Sequence, residues 1–313
     1  MAQFTYKNPI CTEVIDTIRD PFIILVGDTY YLTGTTPPYW DGTSPGVRLW
    51  KSSDLLHWSE VGFILHRSVA EENDWFRDYW WAPEIHMKDN KFYLTVNCRN
   101  EDIGIGQNPL IAVSDNIEGG YEILNRDEPF FTKAKQQSGV CIGDHGNDAS
   151  LFTDDDGRTY ISTCCLEGIH LCEIDLDNAK LKGEETLVIA PSEDGWDTRN
   201  EGSFIMKKNG RYYCFYSSFT RAYEVGVAYA DNIRGPWVKD ENNPIMTPLD
   251  SEKVRECGHN CVFTDKSGRT LTVYHITPRE DDRNQLLALD PVYLDENGRV
   301  TTPAPTFDEQ ILE

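Results

Sequence analysis

One pattern recurs five times along the chain, and it constrains the fold more than any other feature. Each copy begins with a polar residue that runs into a short apolar strand. These opening residues lie 64, 64, 53 and 58 positions apart, and they are Asp20, Glu84, Asp148, Glu201 and His259. A tight-turn dipeptide follows each strand, namely Gly27-Asp28, Asp89-Asn90, Asp156-Gly157, Asn209-Gly210 and Ser267-Gly268. Dipeptides of this kind between β-rich segments predict hairpins, because type I′ turns need positive φ at both central positions.

The segments after the turns continue the repeat as strands. Each turn is followed by a segment rich in aromatic and β-branched residues, such as TYYLTG at 29–34 and RYYCFY at 211–216. A third apolar segment then ends in Ser or Asp, and a fourth, weaker one closes most copies. Four strands repeated five times are typical of a five-bladed β-propeller. The sequence therefore predicts an all-β protein with four antiparallel strands per blade, forming a single domain over residues 1–313.

Composition narrows the classes of ligand. The chain has 313 residues, with 29 Lys and Arg against 52 Asp and Glu, so its net charge is −23. This acidic excess argues against binding to nucleic acid or to an anionic membrane, because both require a basic surface. No apolar run approaches the ~20 residues that span a bilayer. The first residues show no basic segment followed by an apolar one, which predicts a cytoplasmic protein. The nine cysteines, several of them inside apolar strands, are expected to be reduced thiols.

Propeller geometry gives the opening residues a common location. The innermost strand of every blade lines the central channel, so equivalent positions converge at one end of it. Four carboxylates and one imidazole around one axis would raise some pKa values and cost stability unless a function required them. The alternative is that these residues only begin strands and point into solvent. We expect an active site at this end of the channel.

The ordered motifs of the chain resemble those of glycoside hydrolase family 43, whose five-bladed propellers act on polysaccharides that contain arabinose and xylose. The similarity extends over nearly the whole chain, and its motifs are Arg19-Asp20-Pro21-Phe22, Trp81-Ala82-Pro83-Glu84, Asn147-Asp148, Glu201-Gly202-Ser203-Phe204, Gly235-Pro236-Trp237 and Gly258-His259-Asn260.

The resemblance implies the roles of three acids. Asp20 would be the general base, Glu201 the general acid, and Asp148 the residue that orients the acid and adjusts its pKa. Glycoside hydrolysis needs one protonated carboxyl for the leaving oxygen and one carboxylate to activate water. We interpret Glu84 as a structural or channel acid, and Asp144 and His145 are rivals for the position of Asp148.

The resemblance and the remaining aromatic residues suggest the other contacts. His259 matches a channel histidine that in this family lies beside a water cluster or a metal, often calcium; a hydrogen-bonded core histidine is the alternative. No cofactor is expected for the chemistry. Sugar-stacking platforms are predicted among Trp40, Trp75, Trp80, Trp81, Phe219 and Tyr223, and Trp58 and Trp237 are predicted to be core wedges. Arg283 is the candidate for a family arginine near the substrate 2-hydroxyl.

The expected function is that of an inverting α-L-arabinofuranosidase that acts on the ends of oligosaccharides or polysaccharides. β-Xylosidase, endo-arabinanase and galactofuranosidase activities are alternatives within the same family. A retaining, invertase-like enzyme and a carbohydrate-binding propeller without catalytic activity are the alternatives outside it. All three acids that the chemistry needs are present, which favours the enzyme.

Overall fold

All five predicted turn dipeptides lie in hairpin loops, but only two of them have positive φ at both positions, and in the other three only the glycine does. The computed structural model describes residues 3–11, 13–131, 146–281 and 283–313. In it, Asp89 and Asn90 have φ of 51° and 60°, and Asn209 and Gly210 have φ of 53° and 80°. Each pair is the two-residue loop of a hairpin. The positive φ angles are those that type I′ turns require.

Antiparallel strands follow one another around five blades. Blade one contains β2 (Arg19–Val26), β3 (Thr29–Thr35), β4 (Gly46–Ser52) and β5 (Trp58–His66). Blade two contains β6 (Asp78–Lys88), β7 (Lys91–Asn100), β8 (Ile105–Ser114) and β9 (Glu122–Ile123). Blade three contains β10 (Asn147–Thr153), β11 (Thr159–Cys165), β12 (Gly168–Asp175) and β13 (Lys180–Ile189). Blade four contains β14 (Asn200–Lys208), β15 (Arg211–Ser218), β16 (Glu224–Ala230) and β17 (Val238–Lys239).

The fifth blade is completed by other parts of the chain. Within the described residues its sheet has three strands, β18 (Val254–Thr264), β19 (Thr270–Pro278) and β20 (Leu286–Pro291). Two ribbons accompany it, one of β21 (Tyr293–Leu294) with β22 (Val300–Thr301) and one of β1 (Phe4–Tyr6) with β23 (Gln310–Leu312). The short 3-10 helices are Tyr39–Asp41, Arg67–Val69 and Glu101–Ile103. Among the described residues, no helix has the length and apolar character that crossing a membrane requires.

The inner strands β2, β6, β10, β14 and β18 pack side by side in a closed order, which confirms the predicted five-bladed propeller. The apolar core is divided into clusters between neighbouring blades. Between blades one and two, for example, Val47 and Leu49 pack with Leu94 and Val96. Since each blade buries both faces against its neighbours, the ring holds the inner strands at fixed positions around the channel.

Four tryptophans pack into the core between blades. Trp58 and Trp237 pack against core clusters, and the indole N–H of each donates to a carbonyl three or four residues earlier, as the prediction of core wedges requires. Trp75 and Trp80 are 4% and 1% exposed, and both belong to the cluster between blades one and two. The prediction that these two residues bind sugar rings is therefore wrong, because neither presents a free ring face.

The N-terminal segment closes the ring against blade five. The Asn8 side chain donates to the carbonyl of Leu289 at 2.9 Å and accepts from the N–H of the same residue at 2.9 Å. The Tyr6 hydroxyl donates to the buried Asp290 at 2.8 Å. The Asn8 side-chain amide thus makes the two hydrogen bonds that a neighbouring strand would make with β20. The N-terminal segment is therefore joined to blade five by these polar contacts, in addition to the pairing of β1 with β23.

Replacing Asn8 with Ala is expected to destabilise this closure. Both backbone groups of Leu289 would lose their partner inside the protein, and a buried unsatisfied group costs about 1–3 kcal/mol. Asn8→Ala should therefore have a lower melting temperature than the wild type, because its free energy of unfolding is smaller. Thermal denaturation followed by circular dichroism measures this change. Asn297→Ala, at an exposed turn, is the matched control and should melt like the wild type. Equal melting temperatures for all three proteins would contradict the role of Asn8.

Candidate active site

A β-bulge interrupts the inner strand of every blade at the same place. The pairing with the second strand shifts register between Arg19 and Phe22, and the corresponding shifts in blades two to five are Trp81/Glu84, Asn147/Ser150, Glu201/Phe204 and Gly258/Cys261. The residue after the start of each shift has left-handed φ, with values of 51°, 44°, 49°, 57° and 48° for Asp20, Ala82, Asp148, Gly202 and His259. Bulges of this kind redirect side chains and are often found beside active sites.

The bulges define two rings of residues around the channel. We call the residues directly before the left-handed position the first ring, and its members are Arg19, Trp81, Asn147, Glu201 and Gly258. The left-handed residues form the second ring, and its members are Asp20, Ala82, Asp148, Gly202 and His259. The internal sequence repeat predicted that the five polar opening residues occupy equivalent positions in their blades. This prediction is wrong for two of them. Glu201 belongs to the first ring, and Glu84 lies beyond the second, in register with Phe22 and Ser150.

Side chains of both rings line one cavity of about 200 Å³. Its lining residues are Arg19, Asp20, Thr35, Tyr39, Trp40, Trp81, Gln107, Asn147, Asp148, Glu201 and His259. The structure thus brings the three predicted catalytic acids together with His259, Trp40 and Trp81. Phe219, Tyr223 and Arg283 are not among the lining residues.

Asp20 is held as a carboxylate by several donors. Its Oδ1 lies 3.0 Å from His259 Nδ1 and 3.5 Å from Arg19 Nε, and its Oδ2 accepts from the Thr35 hydroxyl at 2.7 Å. Burial by itself would raise the pKa of Asp20, but the adjacent His259 and Arg19 outweigh burial and lower it. The arrangement suits a base that must be ionised to activate water.

Glu201 and Asp148 have the opposite tendency. Burial raises the pKa of Glu201, although the Tyr223 hydroxyl, which donates to its Oε1 at 2.7 Å, acts in the lowering direction. Burial raises the pKa of Asp148 against the lowering effect of His259, Glu201 and Asp20 also raise it, and the resulting pKa is about 7. The N–H of Gly202 donates to Asp148 Oδ2 at 3.1 Å and fixes this carboxyl beside Glu201. Both carboxyls therefore keep a proton at higher pH than a carboxyl in water does, which suits proton donation.

His259 lies between the two second-ring carboxyls. Burial would lower its pKa, but Asp20 and Asp148 raise it to about 9, so the ring carries a proton at neutral pH. A Cβ on Gly202 would lie 3.1 Å from the imidazole, so the absence of a side chain at position 202 makes room for the ring. Burial also raises the pKa of the deeper Glu84 to about 8, against the lowering effect of Ser150 and His259.

The calcium prediction can be tested against these side chains. Among the residues with described positions, no group of three or more His, Cys, Asp or Glu side chains is arranged to hold a metal ion. The described side chains around His259 include an ion pair with Asp20 at 3.0 Å, and we assign no step to a metal.

The predicted sugar contacts occupy different environments. Trp40 is 59% exposed at the cavity rim, and Trp81 lies in the first ring. Phe219 is also exposed, in the loop after β15 and two residues beyond Ser217, the partner of Glu201 in the sheet. Arg283 is exposed and lies outside the cavity wall.

The prediction of Tyr223 as a sugar platform does not agree with its surroundings. Its side chain is only 4% exposed, its ring lies against His275 with centroids 5.1 Å apart, and the guanidinium of Arg19 lies 5.1 Å from the ring centre. The ring is thus packed within the protein and is not exposed for stacking on a sugar. Tyr223 instead reaches the site through its hydroxyl, as the partner of Glu201.

Sequence reasoning missed several residues of the cavity. Arg19 and Asn147 directly precede Asp20 and Asp148 in the recognised motifs, so their positions in the motifs were a usable signal. Tyr39 and Gln107 come from outside the inner strands and carried no such signal. The rival candidates Asp144 and His145 lie outside the described residues.

Comparisons with known proteins match nearly the whole chain. The family model for glycosyl hydrolases family 43 matches residues 6–300. A xylan 1,3-beta-xylosidase from Vibrio sp. is 30% identical over 286 residues, covering 84% of this chain and 48% of that protein. Xylosidase/arabinosidase 43B of Humicola insolens is 28% identical, covering 83% and 47%. The chain thus spans about half the length of these curated relatives. A crystal structure of a thermostable family-43 glycoside hydrolase matches with a TM-score of 0.79 and 30% identity, covering 97% of this chain and 98% of that one.

The Tyr223 hydroxyl should influence how catalysis depends on pH. Because the hydroxyl lowers the pKa of Glu201, Tyr223→Phe should raise that pKa and move the alkaline limb of kcat/KM to higher pH. Tyr39→Phe is the matched control, since the Tyr39 hydroxyl contacts Thr17 at 2.6 Å and should leave the limb in place. An alkaline limb that moves to lower pH in Tyr223→Phe, or not at all, would contradict the assignment of Glu201 as the acid.

Proposed function

Because this chain belongs to glycosyl hydrolases family 43, we propose that it is an inverting exo-glycosidase that removes single α-L-arabinofuranosyl residues from the non-reducing ends of plant cell-wall oligosaccharides or polysaccharides. The observation that carries the proposal is the pairing, within one small cavity, of a carboxyl with a lowered pKa and a carboxyl with a raised pKa. Two carboxyls whose environments separate their pKa values are the mark of an acid and a base.

Each carboxyl has the surroundings that its role demands. Asp20 would activate the attacking water, and its contacts with His259 and Thr35 keep it ionised and oriented. Glu201 would protonate the leaving oxygen, and burial keeps a proton on it at higher pH than in water. Asp148, bonded to the backbone beside Glu201, would favour the protonated form of the acid.

The placement of the two carboxyls favours inversion. They belong to different rings and to blades one and four, and a chain of contacts links them through His259 and Tyr223, whose Nδ1 and hydroxyl lie 3.4 Å apart. Inverting enzymes separate their carboxyls by about 6.5–9.5 Å to admit a water, whereas retaining ones use about 5–5.5 Å. Two carboxyls on non-adjacent blades suit the wider class.

The size of the cavity favours release of one sugar at a time. Pockets for drug-sized ligands hold about 300–1,000 Å³, and this cavity is smaller, at about 200 Å³. A single pentose fits such a volume better than several linked sugars do. The second candidate is release of β-D-xylose, because curated relatives are named as xylosidases. Endo-arabinanase and galactofuranosidase activities are the remaining outcomes of the test below.

A hydrolysis screen with early NMR spectra tests the proposal. The substrates are the 4-nitrophenyl α-L-arabinofuranoside, β-D-xylopyranoside and β-D-galactofuranoside, together with arabinan, arabinoxylan and xylo-oligosaccharides. We expect free arabinose as the first product, with an anomeric configuration opposite to that of the substrate before mutarotation. Products longer than one sugar would exclude exo cleavage, and retained configuration would exclude inversion. Binding without hydrolysis would favour a carbohydrate-binding propeller.

Leaving-group dependence should separate the acid from the base. Glu201→Ala should lose about 10²–10⁴-fold in rate on arabino-oligosaccharides, and it should lose much less on a 4-nitrophenyl glycoside, whose leaving group departs without protonation. Asp20→Ala is the matched comparison and should lose activity on both substrates, because both reactions require activated water. Equal losses on the two substrates for Glu201→Ala would remove that residue from the acid role.

A further inference from the structure

The arginine of the cavity stands where the chemistry takes place. Arg19 occupies the same first-ring position in blade one that Glu201 occupies in blade four, and it directly precedes Asp20. Its side chain is only 14% exposed. A buried guanidinium between a base and an acid requires an explanation beyond chain geometry, because burying a charge is costly without close partners.

The partners that the protein supplies to Arg19 are distant. Nη1 lies 3.4 Å from Gln285 Oε1, and Nε lies 3.5 Å from Asp20 Oδ1. Both distances are at the long limit for a hydrogen bond, and a guanidinium has five N–H groups to satisfy. Within the described part of the chain, these are the polar side-chain contacts that Arg19 makes. Most of its donors are therefore available to a ligand in the cavity.

Two aromatic rings hold the guanidinium in position. The ring centre of Trp40 lies 5.0 Å from its central carbon, and that of Tyr223 lies 5.1 Å away. Contacts of this type orient the cation without using its N–H groups. Most donors of Arg19 are thus unused and pre-oriented.

Two further polar atoms of the cavity wall lack partners among the described residues. They are the indole Nε1 of Trp81 and the Oε1 of Gln107, and Gln107 is only 4% exposed. Arg19 and Trp81 offer donors, and Gln107 offers an acceptor. Hydroxyl groups both donate and accept, so a neutral sugar suits the unused donors of Arg19. An anionic sugar is disfavoured, because Asp20, Asp148 and Glu201 line the same cavity.

We propose that Arg19 binds the sugar that is being released, donating from its planar fork to two neighbouring ring hydroxyls, and that it thereby sets the enzyme's selectivity for those hydroxyls. This inference rests on the proposed glycosidase function and adds a residue to it. Lys cannot replace the fork, since an ammonium offers a single point of attachment. Arg19, rather than the exposed Arg283, is then the arginine that recognises the substrate.

Deoxy analogues of the preferred 4-nitrophenyl glycoside test the proposal. We expect the wild type to prefer the parent over its 2-deoxy or 3-deoxy analogue by about 10–100-fold in kcat/KM, as for hydrogen bonds to a charged group. Arg19→Met and Arg19→Lys should both lose most of this preference. The matched control is Arg234→Met, which also removes a guanidinium packed over a tyrosine ring, at a partly exposed site 5.6 Å from the Tyr160 centroid. It should keep the wild-type preference.

Each other outcome overturns a defined statement. Equal losses by the Arg19 variants on parent and deoxy substrates would mean that Arg19 acts only as a charge beside Asp20. A wild type without preference between the substrates would overturn the inference without any variant, so a misfolded Arg19→Met does not prevent the test. Faster turnover of a uronoside than of the neutral parent would overturn the choice of a neutral sugar. If the wild type hydrolyses no glycoside, the proposed function itself fails, and this inference fails with it.

Discussion

The site depends on how the bulged backbone is tied to the neighbouring blade. The N–H of Asp20 donates to His275 Nδ1 of blade five at 3.3 Å, and the N–H of Ala82 donates to the Thr35 hydroxyl of blade one at 2.7 Å. The N–H of His259 likewise donates to the Ser217 hydroxyl of blade four at 2.8 Å. In each case the partner is a side chain near the end of the preceding blade's second strand. Left-handed φ at a non-glycine residue costs about 1–3 kcal/mol unless its surroundings compensate, and these bonds between blades supply that compensation.

The bulges also determine how charge is distributed in the channel. Three acids approach one another because the second ring turns two of them inward and the first ring adds the third. Arg19 and the protonated His259 are the nearby positive groups, and both lie next to Asp20. Their position stabilises the ionised form of Asp20 most strongly and leaves Asp148 and Glu201 with raised pKa values. The three carboxyl groups thus have different pKa values, in part because they lie at different distances from Arg19 and His259.

The sequence predicted the architecture well because its signals are local. Turn dipeptides such as Asn209-Gly210 and the aromatic second strands identify five blades without any knowledge of long-range contacts. The motifs around Asp20, Asp148 and Glu201 also led to the cavity. The sequence did not reveal which ring each residue occupies, because the left-handed position of the bulge is not filled by one residue type. The five residues at this position are Asp, Ala, Asp, Gly and His. The burial of Trp75 and of Tyr223 depends on packing between distant segments, which residue type alone does not reveal.

Two glycines show how the rings are fitted together across blades. A Cβ on Gly258 would lie 2.6 Å from the ring of Tyr223, so this gap in the first ring is the space in which the tyrosine reaches Glu201. The missing side chain of Gly202 in the second ring serves His259 in the same way. Each absent side chain admits a group that contacts one of the carboxyls of the cavity. It follows that Gly202 of the second ring and Gly258 of the first ring make room for His259 and Tyr223, which contact Asp20 and Glu201, whereas Arg19 and Trp81 of the first ring line the cavity. Differences in substrate preference between related enzymes should therefore arise in the first ring and the surrounding loops, where a change does not disturb the ion pair of Asp20 with His259.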